Sequence, residues 1–511
     1  MYSKFAKKRI PFLLSIGQIS SMTLLSRIGG FARDMVLANT FGASLYLDAF
    51  LIAFKIPNFM RRIFAEGAFS QAFVPIFSEI QKDDQTAHQF ISQAAGCLIV
   101  TLMAIISYTV IFPKSVISLF AYGLVDDPAT LNLTAGLLQW TMPYLGFIAL
   151  VTLYGTVNNC RGQFAATAAA PILLNLAMIC GAIFSHKMTP QIFGLAYAIP
   201  VAGLLQLSLV LFYFRGRIDL PRPNFKSEKI RQFLKAFSII VGGSIVAQLN
   251  LVIDTLFASF LPTGSISWLY YADRLINMPI GIIAVSVATL LLPKLSQSIS
   301  DKNTQQLEER ISWALRLTYS GMLPCVLIIS LLGIPMITTI YLHGSYSIND
   351  AIMTHKALLA MNFGLPAIMF NKIFMIIFFA HKKLKTPTII ALLNGAISVS
   401  LNMLLIPHYG HVALALSLSI SAWCQFLLLS FWSYRNGWLH FNLKALLPWT
   451  KLTMICLFIC MLLNFITPDI HWWMNVSIFT RCEMFISMAT FILAIFFLFL
   501  KKLKLLEQIL L

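Results

Sequence analysis

The chain has 511 residues, of which 58% are hydrophobic and only 11% are charged, and its formal net charge is +18. Soluble domains carry about 25% charged residues, so this much apolar side chain requires lipid around the fold. A positive excess in a membrane protein is usually held in cytoplasmic loops, and it therefore does not indicate nucleic-acid binding. The eight cysteines show no CxxC spacing, which argues against a disulfide framework and a zinc site.

Hydropathy predicts an all-α polytopic membrane protein with about fourteen transmembrane helices. A span needs about 20 mostly apolar residues. Segments of that kind are centred near residues 25, 62, 100, 145, 173, 202, 245, 282, 325, 366, 397, 422, 455 and 489. The first two are the weakest, because charged residues interrupt them. They fit as spans if they face a cavity rather than lipid.

The distribution of Lys and Arg predicts that both termini are cytoplasmic. If the N-terminus is inside, the basic residues at positions 4–9, 215–231, 294–310, 382–385, 435–444 and 501–504 all lie on the cytoplasmic side. The opposite side receives little beyond Lys114, Lys187 and Arg481. Positive charge is retained on the cytoplasmic side of membrane proteins, so this asymmetry favours an even number of spans.

A weak internal repeat predicts two pseudo-symmetric lobes of six helices each. The prolines at 57 and 75 in the first half have counterparts at 279 and 293 in the second half. Transporters are often built from such repeats, with the substrate site at their interface. The predicted division is an N-terminal lobe at 1–220, a C-terminal lobe at 221–440 and a C-terminal helix pair at 441–511.

The first span carries Arg27, Arg33 and Asp34, which are unusual residues at membrane depth. Helical periodicity places one polar stripe along Ser20, Thr23, Arg27, Gly30 and Asp34. Arg33 lies about 100° away from that stripe on a straight helix. The Gly29–Gly30 pair could bend the helix and bring Arg33 towards it.

The second span and later spans add further charges. Asp48, Lys55, Arg62 and Glu66 share one helix face, and Arg62 and Glu66 have the spacing of an ion pair. Because Pro57 interrupts the helix, periodicity does not decide between Arg61 and Arg62 as the inward residue. The other charges at membrane depth are Asp254, Asp273, Arg274 and Lys372.

Four arginines facing lipid would cost on the order of 10 kcal/mol, at about 2.5–3.5 kcal/mol each. Net stability is only about 5–15 kcal/mol, so these side chains must line a hydrated or paired interior. One interpretation is a salt-bridge network that holds the helices together. The other is a cationic cavity for a phosphate-bearing substrate, since guanidinium groups match phosphate oxygens. The excess of basic over acidic residues favours the cavity.

Several of these segments resemble the MurJ (MviN) family of bacterial lipid II flippases. The most specific is the long motif Arg61-Arg-Ile-Phe-Ala-Glu-Gly-Ala-Phe-Ser-Gln-Ala-Phe-Val-Pro75. The others are Ser20–Arg27, Gly30–Asp34, Asp48–Phe50, Lys55–Asn58, Asn159, Pro171, Asn175, Ala258–Phe260, Ser267–Arg274 and Lys385–Pro387. The resemblance covers the whole chain in order and spacing, although the last two spans match only in hydropathy.

The resemblance implies a fold of the MOP exporter superfamily and a flippase that moves lipid II from the inner to the outer leaflet by alternating access. It implies that Arg27, Arg33, Arg61 and Arg274 bind the pyrophosphate, so it favours Arg61 over Arg62. The supporting charges would be Asp34, Asp48, Lys55, Glu66 and Asp273. The helix pair at 441–511 would flank a groove for the lipid tail.

The resemblance also implies the partners and the location. The substrate would be lipid II, an undecaprenyl-pyrophosphate-linked disaccharide pentapeptide, in the bacterial cytoplasmic (inner) membrane. Other partners would be membrane lipids and proteins of cell-wall synthesis, with no nucleic acid and no cofactor. A coupling cation, sodium or a proton, or the membrane potential would drive the cycle. Asp254, with Thr255 nearby, is either the carboxylate that binds that cation or a buried hydrogen-bonding residue.

Two departures from the family pattern and two alternative functions stay open. Asn277 replaces a carboxylate common in the family, and the tenth span lacks the usual proline-glycine break at 374–378. Another exporter of the superfamily, an O-antigen flippase or a cation-coupled drug antiporter, is the first alternative. A membrane-embedded enzyme is the second, but His408 and His411 have no partner carboxylate and no metal-ligand motif occurs, so no catalytic residue is predicted.

Overall fold

The computed structural model of the chain describes residues 2–64, 67–214, 216–439, 443–464, 467–503, 505 and 507. All regular secondary structure in these residues is helical, which confirms the predicted all-α class. The helices form two compact units, Met1–Gly264 and Ser265–Leu511. The lobes predicted at 1–220 and 221–440 were defined by the internal sequence repeat and the inferred transporter function, and not by compactness. They therefore stay predictions.

In the first unit, the described α-helices are α1 (Tyr2–Phe41), α2 (Leu45–Phe64), α3 (Ala68–Ile80), α4 (Asp84–Ile111), α5 (Pro113–Phe120), α6 (Pro128–Thr141), α7 (Tyr144–Cys160), α8 (Ala165–Ile183), α9 (Phe193–Phe212) and α10 (Glu228–Ala258). Short 3₁₀ segments follow α5, at Tyr122–Leu124, and α8, at Phe184–Lys187.

In the second unit, the described α-helices are α11 (Ser265–Pro279), α12 (Val285–Ser300), α13 (Thr304–Tyr341), α14 (Ile348–Ala380), α15 (Lys385–Tyr409), α16 (His411–Arg435), α17 (Leu443–Asn464), α18 (Ile470–Asn475) and α19 (Ile478–Lys502). A π-helical segment, Ile280–Ala284, joins α11 to α12. Helix α14 is continuous over 33 residues despite Pro366.

Ten helical segments of the described chain are long and apolar enough to cross a membrane. The number is eleven if the two parts of α10, bent by 49° between Gly243 and Gln248, count as one span. The predicted spans that do not meet this standard are α1, α2 and α17. Charged and polar residues interrupt α1 and α2, and the apolar part of α17 extends only over Leu447–Ile459. The count of about fourteen therefore stays a prediction.

The first unit has an aromatic core where α3, α4 and α10 meet, which we call the aromatic cluster. Its rings pack stacked or edge to face at centroid distances of 5.1 to 6.4 Å. Such pairs contribute about 0.5–1.5 kcal/mol beyond the burial of their area. The cluster fixes α10 within the first unit. Its members are Phe69, Phe73, Phe77, Phe90, Phe233 and Phe237.

The basic loop after α9 is held against α4. The N–H of Arg222 donates to the carbonyl of Ser92 at 3.2 Å, and the Ser92 hydroxyl donates to the carbonyl of Leu220 at 2.6 Å. A Cβ at Gly96 would lie 2.4 Å from the backbone nitrogen of Pro223. Only glycine permits this approach, so a side chain at position 96 would displace the loop.

The core of the second unit extends from α12–α16 to the C-terminal helices. Helix α13 has a kink at Leu332, where the φ/ψ angles are −108° and 20°. Pro335 removes a backbone donor in the next turn, which accounts for a break in the helical hydrogen bonds there. Leu332 packs in one hydrophobic cluster with Trp449 of α17 and Phe496 of α19. The C-terminal helices are therefore anchored on α13.

A histidine and a lysine both pack on Trp438 at the basic turn between α14 and α15. The ring of His381 stacks on Trp438 with centroids 3.8 Å apart, and the ammonium of Lys383 lies 4.8 Å from the centroid of the same indole. Burial lowers the pKa of the His381 imidazole, and the positive charge of Lys383 acts in the same direction. The native turn therefore favours neutral His381.

The expected result is a loss of thermal stability on mild acidification that depends on His381. Its contribution is present above the unfolded pKa of about 6.5 and is lost as the pH falls through the lower folded-state pKa. We expect the change in Tm between about pH 7.5 and about pH 5.5 to be smaller for His381→Gln than for the unaltered protein in the same detergent. An equal change in both proteins would contradict this assignment.

Candidate anion-binding residues

Arg33 and Asp34 form a buried ion pair on α1. The guanidinium Nη2 of Arg33 lies 2.7 Å from Asp34 Oδ1, and Nε donates to the same oxygen at 3.0 Å. The side chains are only 9% and 3% exposed. Adjacent residues on a helix do not normally face each other, so the long arginine side chain must reach across to the carboxylate. The structure thus pairs two residues that periodicity placed apart.

Asn175 of α8 is a further polar contact of Arg33. Its Oδ1 accepts a hydrogen bond from Arg33 Nη1 at 3.0 Å, and its Nδ2 donates to the backbone carbonyl of Ser26 at 3.0 Å. The Asn175 side chain lies opposite Gly29 and Gly30, where an added Cβ would be 3.6 Å from the nearest atom of that side chain. One side chain therefore fixes Arg33 and joins α1 to α8.

Arg27, Arg61 and Arg62 are more accessible than Arg33. Arg27 is exposed on α1, and Arg61 is half-buried on α2 with its Nε donating to Asn58 Oδ1 at 3.3 Å. Arg62 is exposed, and its Nη1 donates to Gln248 Oε1 at 3.3 Å. Each member of the Arg61–Arg62 pair therefore has a polar contact of its own, and Arg61 is the less exposed member.

Asp48 is a buried carboxylate in the first turn of α2. Its Oδ2 accepts a hydrogen bond from the N–H of Gly264 at 2.6 Å, and the residue is 8% exposed. An anion near a helix N-terminus is stabilised by the helix dipole. The carboxylate thus attaches the segment after α10 to the start of α2. Lys55, further along α2, is half-buried, and Glu66 lies outside the described residues.

Arg274 belongs to α11 in the second unit. Its guanidinium carbon lies 4.8 Å from the centroid of the Tyr270 ring, and its Nη2 donates to the Tyr270 hydroxyl at 3.3 Å. Asp273 is exposed, and the amide of Asn277 donates to its backbone carbonyl at 2.9 Å. Asn277 therefore supports the helix backbone at the position where the family often has a carboxylate. Tyr270 orients the Arg274 guanidinium through its ring and its hydroxyl.

Asp254, the candidate for a coupling cation, lies half-buried near the C-terminal end of α10. The neighbouring Thr255 hydroxyl donates to the carbonyl of Leu251 at 2.6 Å, one helical turn earlier. This hydroxyl is buried and already engaged with its own helix. In the part of the chain that the structure describes, no group of three or more His, Cys, Asp or Glu side chains could hold a metal ion.

Sequence reasoning did not assign roles to Asn175, Tyr270 and Asn58. The signal for Asn175 was a single amide in an otherwise apolar helix, which is costly unless it is hydrogen-bonded. Tyr270 precedes Arg274 by four residues, and Asn58 precedes Arg61 by three, so both spacings place the partners on one helix face. The spacing could therefore have predicted these two contacts. It could not predict the contact of Asn175 with Arg33, which lies on another helix.

Most of the chain matches one family of known proteins. Residues 37–482 match the family model described as "Lipid II flippase MurJ". A probable lipid II flippase MurJ from Buchnera aphidicola subsp. Baizongia pistaciae is 35% identical over 444 residues, which cover 84% of this chain and 86% of that protein.

Solved structures place the same fold in a wider group. A structure described as "Lipid II flippase MurJ, inward closed conformation" has a TM-score of 0.80 and 30% identity, and the match covers 94% of this chain and 98% of that chain. An inward-facing MATE multidrug resistance transporter of the MOP superfamily has a TM-score of 0.66 at 14% identity, covering 83% and 98%, and so shares the fold alone. The chain therefore belongs to the lipid II flippase MurJ family.

Proposed function

We propose that the protein is a flippase that moves lipid II from the inner to the outer leaflet of the bacterial cytoplasmic membrane. The observation that carries this proposal is the family match over residues 37–482, because it includes α2 and α11, on which Arg61 and Arg274 lie. Arg27 and Arg33 on α1 complete the proposed binding set. The function supplies the outer leaflet with the precursor for cell-wall synthesis.

The chemistry of the substrate supports this binding set. A pyrophosphate presents several anionic oxygens, and guanidinium groups bind such oxygens through paired, charge-assisted hydrogen bonds. Arg27 is exposed and Arg61 is half-buried, so both side chains are accessible to an anion. Arg33 differs, because Asp34 and Asn175 already hold it in one conformation. We assign Arg33 a binding role that depends on this fixed geometry.

The proposed cycle is alternating access. The arginines bind the pyrophosphate and headgroup from the cytoplasmic side while the polyprenyl tail stays in lipid beside the helix pair at 441–511. Movement of one lobe against the other then exposes the headgroup outside. Substrate charge favours the loaded state, because an empty cluster of cations repels itself. The membrane potential, at about 2.3 kcal/mol per charge per 100 mV, is one source of energy for resetting.

Membrane orientation and ion coupling belong to the same proposal. The excess of Lys and Arg on one side supports cytoplasmic termini. Asp254 is the proposed carboxylate of a coupling-cation site, with sodium or a proton as the ion. Since Thr255 is engaged with Leu251, further ligands would have to come from other residues.

The function is tested by complementation in a bacterium depleted of its own lipid II flippase. We expect expression of this chain to restore growth and also the accessibility of lipid II to an enzyme or probe added outside the cell. The matched control is the same chain carrying Arg27→Ala and Arg274→Ala, expressed to the same level in the membrane. Growth restored without external lipid II would contradict direct flipping.

A further inference from the structure

The second unit contains an open groove of about 660 Å³ between α14 and α16. It lies where α14 and α16 begin and α15 ends. Its mouth is polar, with Lys356, Tyr409 and His411, and its wall is apolar, with Leu359 and Phe363 among others. None of these residues belongs to the proposed pyrophosphate-binding set.

The positive charge at the mouth of the groove is not neutralised by the nearest acidic residue of α14. Asp350 is buried, and its Oδ1 accepts a hydrogen bond from Trp268 Nε1 at 2.8 Å. Its Oδ2 accepts one from the N–H of Ser347 at 2.9 Å. In the described part of the chain, no carboxylate lies within ion-pair distance of the Lys356 ammonium. The groove therefore presents a cation.

His411 gives the mouth a fixed shape. The residue is 7% exposed, its Nε2 lies 3.0 Å from the carbonyl of Met353, and its ring packs on Trp268 at a centroid distance of 4.9 Å. The imidazole is thus held by the protein. Lys356 and Tyr409 are exposed beside it, with side chains accessible to a ligand.

The apolar residues that continue the groove beside Lys356 indicate a lipid rather than a soluble anion. Lys356 lies eight residues, or about 12 Å, along α14 from Ile348. Helix α14 is a candidate membrane span, and a charge within a span is costly unless it reaches the interface or pairs with an anion. The exposed side chains of Leu359 (39%) and Phe363 (56%) continue the groove for about 10 Å further along the helix axis. A polar mouth above an apolar wall matches a headgroup above an acyl chain.

We propose that this groove binds a phospholipid with an anionic headgroup, such as phosphatidylglycerol. The lipid phosphate accepts hydrogen bonds from the Lys356 ammonium and the Tyr409 hydroxyl, and one acyl chain lies along Leu359 and Phe363. Basic pockets between transmembrane helices bind anionic lipid headgroups in this way. With cytoplasmic termini, as proposed above, the mouth of the groove opens in the outer leaflet.

The test measures lipid binding to the full-length protein by native mass spectrometry, with phosphatidylglycerol and phosphatidylcholine of identical acyl chains. We expect phosphatidylglycerol to bind about five-fold more tightly, because a single basic residue near the membrane surface raises the affinity for an anionic lipid by about that factor. Lys356→Ala should remove this preference, and Lys356→Arg should keep it. Lys114→Ala, which removes another exposed lysine predicted to lie on the outer side, is the matched control and should keep the preference.

Three results would overturn the proposal. The first is a preference for phosphatidylglycerol that survives Lys356→Ala, and the second is equal binding of both lipids by the unaltered protein. The third is loss of undecaprenyl pyrophosphate binding in Lys356→Ala with phosphatidylglycerol binding unchanged, which would assign the groove to the transported substrate. Arg27→Ala and Arg274→Ala should retain the lipid preference, so failure of the flippase proposal is distinguishable from failure of this one.

Discussion

Replacing Arg27 or Arg274 with alanine is expected to abolish lipid II flipping while leaving membrane insertion and folding intact. Neither side chain is buried, since Arg27 is exposed and Arg274 is half-buried against the Tyr270 ring. Each substitution removes a guanidinium from the proposed pyrophosphate site. A hydrogen bond to a charged group is worth about 1.5–3 kcal/mol, so affinity for the headgroup should fall roughly ten- to hundred-fold.

The measurement is external accessibility of lipid II in a strain depleted of its own flippase, with protein levels and Tm recorded for every variant. Lysine at either position should restore part of the activity, since it keeps the charge but lacks the paired donors of a guanidinium. Full activity of both alanine variants at normal protein levels would show that these arginines are not part of the binding site.

The neighbouring arginines Arg61 and Arg62 provide a matched comparison within one helix turn. Both are on α2, and each donates to a side-chain carbonyl oxygen at 3.3 Å, from Asn58 and Gln248 respectively. We expect Arg61→Ala to impair flipping strongly and Arg62→Ala to have a small effect. The reverse order would exchange their roles and place Arg62 in the binding site.

The sequence was sufficient to predict the helical class and the charged character of α1 and α2. These features depend on composition and on the 3.6-residue period of a helix, which are local properties. The pairing of Arg33 with Asp34 was not predicted, because periodicity separates adjacent residues by about 100° and ignores the reach of a long side chain. Asn175 shows the same limit, since its partner lies 142 residues away.

The sequence also did not predict the contacts between loops and helices. The sequence indicated only that Asp48 is a charge on the face of α2. In the structure its carboxylate accepts a hydrogen bond from the backbone N–H of Gly264, and a backbone donor has no signature in the sequence. The sequence predicted a lobe boundary at the loop that contains Arg222 and Pro223, and in the structure this loop packs on Gly96. Such contacts depend on which backbone segments approach each other. A single sequence contains little information about that.

The structure further separates two interpretations that the sequence left open. The salt-bridge interpretation describes Arg33, whose carboxylate partner lies at 2.7 Å within the same helix. Arg27, in contrast, is exposed. The cluster in the first unit therefore combines one arginine that is fixed and neutralised by its own fold with others that are accessible to a ligand. We therefore expect substitution of Arg33 to reduce stability, and substitution of Arg27 or Arg61 to reduce transport.

Arg33→Ala and Asp34→Ala are each expected to destabilise the protein by about 3–5 kcal/mol, because each leaves the opposite charge buried without its partner. Replacing both residues with apolar side chains of similar size, as in Arg33→Met with Asp34→Leu, should cost much less than the sum of the single changes. Asn175 would lose its guanidinium donor in the double variant, so a residual cost of about 1–3 kcal/mol is expected.

Apparent unfolding free energies in detergent micelles would measure this coupling. The exposed pair formed by Lys229 and Glu79 in the same unit, at 3.4 Å, is the control, and its coupling should be about 0–1 kcal/mol. Additive effects of Arg33 and Asp34 would contradict a buried, interdependent pair. The double variant also separates transport from stability: if it folds but does not flip lipid II, the Arg33–Asp34 pair is needed for transport as well as for the stability of α1 against α8.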